Sequence, residues 1–476
     1  MKNKKLYILA ILAISFTSCK KEFDEVNVNP NAPETAQPDY LLTGTTKSTV
    51  DTYWGVTNNM NSSLLFAQHW AKVQYTEEDR FIYSNSSFTA LWSTGYAQSI
   101  AGFNKIIELG DAQGNANYKG VALVLRSWTF LLLTDAYGDI PYTQAGKIKQ
   151  FVTPVYDKQK DVYYGILSDL KSAQAVLDPA GKAIAGDIVY GNNITSWKKF
   201  ANSLRLRIAL RIADQDPVKA KQVIDEIQAE GGAFISSNAE NAALKYDVSP
   251  QQNPVAASFE TRNDYRISKT IVDKLTSLSD PRLPVYASKT ENQPQGYVGI
   301  PNGSTNSEAS AIGLANSSKP GVYFLDAKAP AVIFSYAELL FDRAEAAARG
   351  FTAEDAEDLY KQAIRASFLQ YNISGTVVDD YIRQSEVIYS AANYKKSIGE
   401  QKWIALFGQG LEAWAEQRRL DYPQLKASVN TVLNGKIPVR FIYPGTEQSL
   451  NGQNYKNAVS SQGADLLTTK LWFDAF

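Results

Sequence analysis

Residues 118–136 carry apolar side chains on almost every face of a helix: Val121, Leu123, Val124, Leu125, Trp128, Phe130 and Leu131 to Leu133. A helix that is apolar all round must be buried on all sides. Arg126 and Asp135 interrupt the run. It is therefore the buried helix of a folded domain rather than a membrane span, which needs roughly 20 apolar residues. Its stop is legible too, because Tyr137-Gly138-Asp139-Ile140-Pro141-Tyr142 sets Gly and Pro where helices end.

Apolar steps of three and four predict further helices over 87–109, 157–177, 197–213 and 217–229. The same spacing predicts a pair over 331–349 and 354–371, and a last helix over 400–419. Helix pairs with small residues at their contacts suggest tetratricopeptide-like hairpins, although no strict repeat of about 34 residues is present. Strand signals are short, at Ala243–Val248 and Val298–Ile300. Long loops rich in Asn, Ser, Gly and Pro fill 233–265, 286–330 and 434–470, and loops of that length inside a domain are usually functional. The expected class is mainly α, one large domain over 46–476 with tetratricopeptide-like helix pairs and long irregular loops.

The chain has one Cys and one His among 476 residues. That excludes a disulfide scaffold, a Cys/His zinc site and a nucleophile triad with a choice of His. Lys and Arg total 48 against 49 Asp and Glu, a net charge of −1, so no general affinity for nucleic acid is expected. No cofactor motif survives inspection. Gly408-Gln409-Gly410-Leu411-Glu412-Ala413 matches a dinucleotide pattern on paper, but it lies within a helical period and follows no strand. No acidic loop has the ligand spacing of a Ca²⁺ or Mg²⁺ site. His69 reads as a packed, hydrogen-bonded residue.

Lys2, Lys4 and Lys5, the apolar run Leu6 to Phe16, and then Thr17-Ser18-Cys19 read as a secretory signal over 1–18. The only Cys stands at the cleavage point, as in a bacterial lipobox. Cys19 is then the acylated first residue of the mature protein, which is lipid-anchored and otherwise soluble. Residues 19–45 read as a tether and extended segment.

Aromatic side chains interleaved with amides and carboxylates mark the candidate binding residues. A ring face stacks on the C–H face of a sugar while amide groups bond its hydroxyls. One run holds Trp54, Trp70, Gln74, Tyr75 and Arg80, with Trp54, Trp70 and Tyr75 as stacking rings and Gln74 and Arg80 as hydrogen-bonding groups. Trp54 and Trp70 also fit core positions. A second group on the mid-chain loop is Tyr297, Asn302 and Tyr323. Glu412 and Glu416 are one helical turn apart and could mimic a glycosidase pair, but Arg418 and Arg419 beside them favour surface or interhelix ion pairs.

Several segments together resemble the SusD/RagB family of nutrient-binding outer-membrane lipoproteins of Bacteroidota-type bacteria. They are Phe23-Asp24-Glu25-Val26-Asn27-Val28-Asn29-Pro30-Asn31, the helix with Arg126 and Trp128 running into Asp135 to Tyr142, and Ser335 to Leu339 with Arg343 to Ala346. Gln401 to Phe407 with Glu412-Ala413-Trp414 and Arg418-Arg419 follow, then Ile437 to Arg440, Tyr443-Pro444 and the Leu471 to Asp474 tail. The resemblance covers nearly the whole mature chain. It implies a single α-rich domain with four tetratricopeptide-like helix pairs. It also implies a cell-surface lipoprotein that captures a nutrient, most simply an oligosaccharide, and sits as the lid of a SusC-like TonB-dependent transporter. It implies that Arg126, Trp128, Trp403 and Trp414 are scaffold. A peptide-binding RagB-like lid, an all-helical glycoside hydrolase with two inward carboxylates about 5–10 Å apart, and a structural helical-repeat adaptor are the competing readings.

Overall fold

In a computed structural model of the protein, the residues described are 36–292, 296–428 and 430–475. The signal segment, Cys19 and the Asn27 to Asn31 stretch lie outside the described residues.

Helix α1, Pro38–Trp54, opens the domain with proline in its first turn, where the missing N–H is no loss. The segment expected to stay extended to residue 45 is thus helical from Pro38, because an Asn/Pro-rich composition conceals a proline that starts a helix. A wider π-helical stretch, Val56–Ser63, follows, then strand β1, Trp70–Lys72. Helices α2, Ala101–Ala112, and α3, Ala116–Tyr137, form the first close hairpin. The Asn115 side chain accepts from the Asn117 N–H and caps α3. Gly138 ends it at φ +88°, and a Cβ there would run into the Gln462 side chain. Helices α4, Gln159–Val176, α5, Ile194–Ile212, and α6, Pro217–Ala229, continue the array. Asn193 and Asp216 cap α5 and α6.

Strand β2, Ala242–Leu244, β3, Tyr265–Ile267, and helix α7, Lys269–Ser277, precede β4, Ala331–Phe334. Two antiparallel ladders result, β1 with β3 (Trp70 opposite Ile267) and β2 with β4 (Ala242 opposite Phe334). Of the expected strand 243–248 only the first two residues pair, and of Val298–Ile300 only Ile300 bridges, to Ser268.

Helices α8, Tyr336–Ala348, and α9, Ala356–Leu369, form another close pair. The helix expected over 331–349 is a strand up to Phe334, and Ser335 caps α8 through the Glu338 N–H. Four apolar residues in a row satisfy either element, and the partner β2 decides. Likewise 400–419 is two helices, α10, Tyr394–Ala405, and α11, Gly410–Leu420. The chain turns at Gly408, φ +90°, where a Cβ would meet Phe324 and Trp54. Helix α12, Gly452–Gln462, packs its Gln462 amide against the end of α3.

The fold is mainly α, as expected, and among the described residues no helix is long and apolar enough to cross a membrane. The core runs through all the helix pairs. It also holds buried charge: Arg207 and Arg211 of α5, Glu338, Asp342 and Glu345 of α8, Lys402 of α10 and Glu412, Glu416 and Arg419 of α11. Glu412 and Glu416 are therefore interhelix ion-pair partners, not surface ones. Each meets Arg211, and neither faces a cleft.

Candidate functional site

The β1–β3 ladder sets the 68–80 segment against the start of α7. The 301–312 segment, residues 426–428 and Asn430 close over that junction. Together they enclose a groove of about 560 Å³. Gln68 ties three of its walls: its Nε2 donates to the Lys426 carbonyl at 2.7 Å and its Oε1 accepts from the Thr270 hydroxyl at 2.6 Å. Asn302 fixes the floor, donating from Nδ2 to the Trp70 carbonyl and to Asp79 Oδ1, both at 2.8 Å, while its Oδ1 accepts from the Ser268 hydroxyl. Asn430 donates to Glu308, which closes a capping box with Thr305.

The outer loop is joined to the same frame. The Thr76 N–H donates to Asn306 Oδ1 at 3.0 Å, and the Val432 N–H donates to the Arg80 carbonyl at 3.2 Å. Tyr75 stands on this loop, 67% exposed, with φ +52°. Gln68 and Phe81 also adopt the left-handed region. Non-glycine residues held there tend to cluster at ligand sites, where the surrounding contacts over-determine the backbone.

The charges of the groove balance. Lys269 pairs with Asp273 within α7 at 2.5 Å. Backbone and hydroxyl bonds from Thr305 hold Glu308 below the usual carboxylate range. Lys426 adds a cation. The rest of the lining is neutral, the amides of Gln68, Asn302 and Asn430 and the hydroxyls of Thr270, Ser304 and Ser428, and what it offers a ligand is the lone pairs and N–H groups that the internal bonds leave over.

The sequence-derived residues separate into three groups. Asn302 lines the groove, and Gln74 and Tyr75, both exposed, stand on its neighbouring loop with Arg80, which is half-buried against Glu77. Trp54 and Trp70 take the core alternative and not the stacking role expected of them. They are 4% and 1% exposed, and neither ring can reach a ligand. Trp54 Nε1 donates to the Val332 carbonyl at 3.0 Å, and Trp70 packs on Phe259 and Tyr265. Tyr297 is half-buried against the core and lines no described groove wall, and Tyr323 lies in a separate cavity. The missed wall is Lys426, Ala427, Ser428 and Asn430. No local pattern marks it, because tertiary contacts alone bring it to the groove.

Asp79 lies beneath the floor, fully buried. Burial pushes its carboxyl up to about 7, against the Asn302 amide, the Lys72 and Gly303 N–H groups and the Lys72 charge, which all favour the anion. The folded chain thus holds this proton more tightly than the unfolded chain, which releases it near pH 3.8. Stability from this residue is full below about pH 4 and is lost as the pH rises through about 7. Thermal unfolding across pH 4–8 should fall less steeply in Asp79→Asn than in the wild type, because the other buried carboxyls with raised values, Glu338 and Asp342, act equally in both. Parallel profiles would refute it.

A family model described as starch-binding and associating with the outer membrane, SusD-like, matches residues 30–444. No curated protein sequence matches the chain. Among solved structures, a chitin-binding protein is 29% identical, over 92% of this chain and 100% of its own, with TM-score 0.83. A SusD homologue from Bacteroides uniformis is 27% identical over 92% and 100% of the two chains, TM-score 0.83. A chitin-binding SusD homologue from Flavobacterium johnsoniae, at 24% identity over 91% and 98%, TM-score 0.83, shares the fold.

Proposed function

The chain belongs to the SusD-like family of starch-binding, outer-membrane-associated proteins, and from that premise we propose that it is a cell-surface lipoprotein that captures an oligosaccharide in the groove above Asn302. Acylation at Cys19 would anchor it to the outer membrane. Its partner would be a SusC-like TonB-dependent transporter, to which it delivers the glycan as a lid, without catalysis.

The observation that carries this reading is the groove itself. Its amides are locked by internal bonds, its charges cancel, and an exposed tyrosine stands on the adjoining loop. A neutral polyhydroxylated ligand meets such a surface with hydrogen bonds at its edges and a ring on its C–H face. A charged peptide would need groove charges free to pair with it, and Lys269 and Asp273 already pair with each other. Catalysis by Glu412 and Glu416 has no support, since both are buried among arginines.

Calorimetry of the full chain in detergent against maltohexaose, chitohexaose and a peptide panel tests the reading. Tyr75→Ala should weaken glycan binding by about three- to tenfold, the worth of one aromatic contact, and should leave thermal unfolding unchanged. Binding of peptides alone would replace the glycan in this reading. Sustained hydrolysis of either sugar would end the binding-only view.

A further inference from the structure

A second cavity, of about 860 Å³, opens between the 187–193 loop ahead of α5, the 238–245 segment and the end of α9. It shares no lining residue with the groove above Asn302. Its chemistry is set by which groups are already engaged. Asp187 accepts from the Val189, Tyr190 and Asn192 N–H groups and from Trp197 Nε1 at 2.7 Å. Glu240 accepts from Lys199 Nζ at 2.5 Å and from the Ser236 N–H and hydroxyl. Both acids are therefore committed to the protein.

The groups left free are of another kind. Asn238 Oδ1 is buried with no hydrogen-bond partner, while its Nδ2 is held by the Ala366 carbonyl at 2.9 Å. A buried acceptor without a donor is costly, and a ligand donor would satisfy it. Among the described residues, the Tyr323 hydroxyl, the Asn372 amide and Lys245 Nζ also make no side-chain hydrogen bond, and all three residues line the cavity. The Tyr323 ring is fixed edge-on by Phe324 and Tyr371, each 5.1 Å away. Leu369, 57% exposed, and Val332 supply an apolar wall. A rigid half-buried ring, an aliphatic wall and free amide and hydroxyl groups, with the Lys245 ammonium as one further donor, match a saccharide again.

We propose that this cavity is a second saccharide-binding site, formed by Asn238, Tyr323, Leu369 and Asn372. The saccharide class rests on the glycan reading of the protein, but the site is physically separate from the groove. Two sites on one chain would let a long glycan bind in two places or let two short ones bind at once.

The test is calorimetry of the full chain in detergent with maltohexaose and chitohexaose, using three variants. Tyr323→Phe combined with Asn372→Gly removes the free hydroxyl and amide, and glycine suits the left-handed backbone at residue 372, φ +59°. Ala239→Trp fills the cavity from its exposed rim. Tyr75→Ala with Asn430→Ala impairs only the groove. The wild type should bind two equivalents of one sugar. Each cavity variant should lose one equivalent, or weaken it about tenfold for two lost hydrogen bonds, with unchanged thermal unfolding. The groove variant should keep the cavity equivalent. Cavity variants that bind like wild type, or a wild type that takes neither sugar, would overturn the proposal. Loss confined to the cavity variants, with the groove variant unaffected, would support this site and remove the groove from the function.

Discussion

Arg419→Met should lower the unfolding free energy by about 3–5 kcal/mol, the cost of taking one partner away from a buried, hydrogen-bonded ion network. Arg419 is buried on α11 and binds both oxygens of Glu345 at 2.6 Å, Glu416 at 2.7 Å and the Leu210 carbonyl. Glu416 in turn holds Lys402 at 2.6 Å and Arg211, and Arg211 reaches Glu412 and Asp135. Four helices, α5, α8, α10 and α11, are thus joined by one network, with α3 linked through Asp135. Burial would raise the Glu345 carboxyl, but Arg419 and Arg349 outweigh it and hold it down at about 2. Its contribution is present above about pH 4.5 and is lost as the pH falls toward 2. Burial instead drives Glu338 and Asp342 upward, with Arg207 and Lys402 opposing it and neighbouring carboxylates adding to it.

Denaturant unfolding of Arg419→Met, Glu345→Gln and the double variant distinguishes a network from a neutral contact. The double variant should be destabilised by clearly less than the sum of the two single ones, because Gln no longer leaves a charge exposed to the apolar core. Strict additivity, or a single variant costing under about 1 kcal/mol, would show that the pair behaves as an exposed one.

This network explains much of what the sequence hid. Apolar spacing marks a helix well when the buried face is apolar, so 118–136 and 217–229 lie within or coincide with α3, Ala116–Tyr137, and α6, Pro217–Ala229. On α11 the buried face carries Glu412, Glu416 and Arg419, which sequence reasoning divides between surface and interhelix ion pairs. Only the facing arginines of α5, about 200 residues earlier in the chain, decide between them. The limits of β4 and of the α10–α11 break were hidden for a different reason. Each depends on a distant partner, β2 in one case and the Trp54 and Phe324 rings around Gly408 in the other. The groove was half legible. Asn302 and the 74–80 loop stand out by composition, whereas Lys426, Ala427, Ser428 and Asn430 are ordinary loop residues tied in through Gln68 and Glu308.

Trp54→Ala should also cost about 3–5 kcal/mol, as large aromatic truncations in a core do, and should leave the affinity for any glycan within about twofold, a difference of roughly 0.4 kcal/mol. The two outcomes separate core from platform. Trp54 ends α1, its Nε1 bonds the β4 carbonyl of Val332, its ring meets Tyr53 edge-on, and it packs against the Gly408 turn between α10 and α11. Removing it leaves a cavity at the point where α1, β4 and α11 converge, and leaves the Val332 carbonyl without its donor. The position alone could not reveal this. A tryptophan beside amides at the end of a helix suits a sugar platform and a packing wedge equally, and only the enclosing elements choose. Calorimetric titration well below the lowered melting temperature, set beside denaturant unfolding of the same variant, gives both readouts. A stable variant that loses glycan binding would return Trp54 to the site and require the chain around it to open.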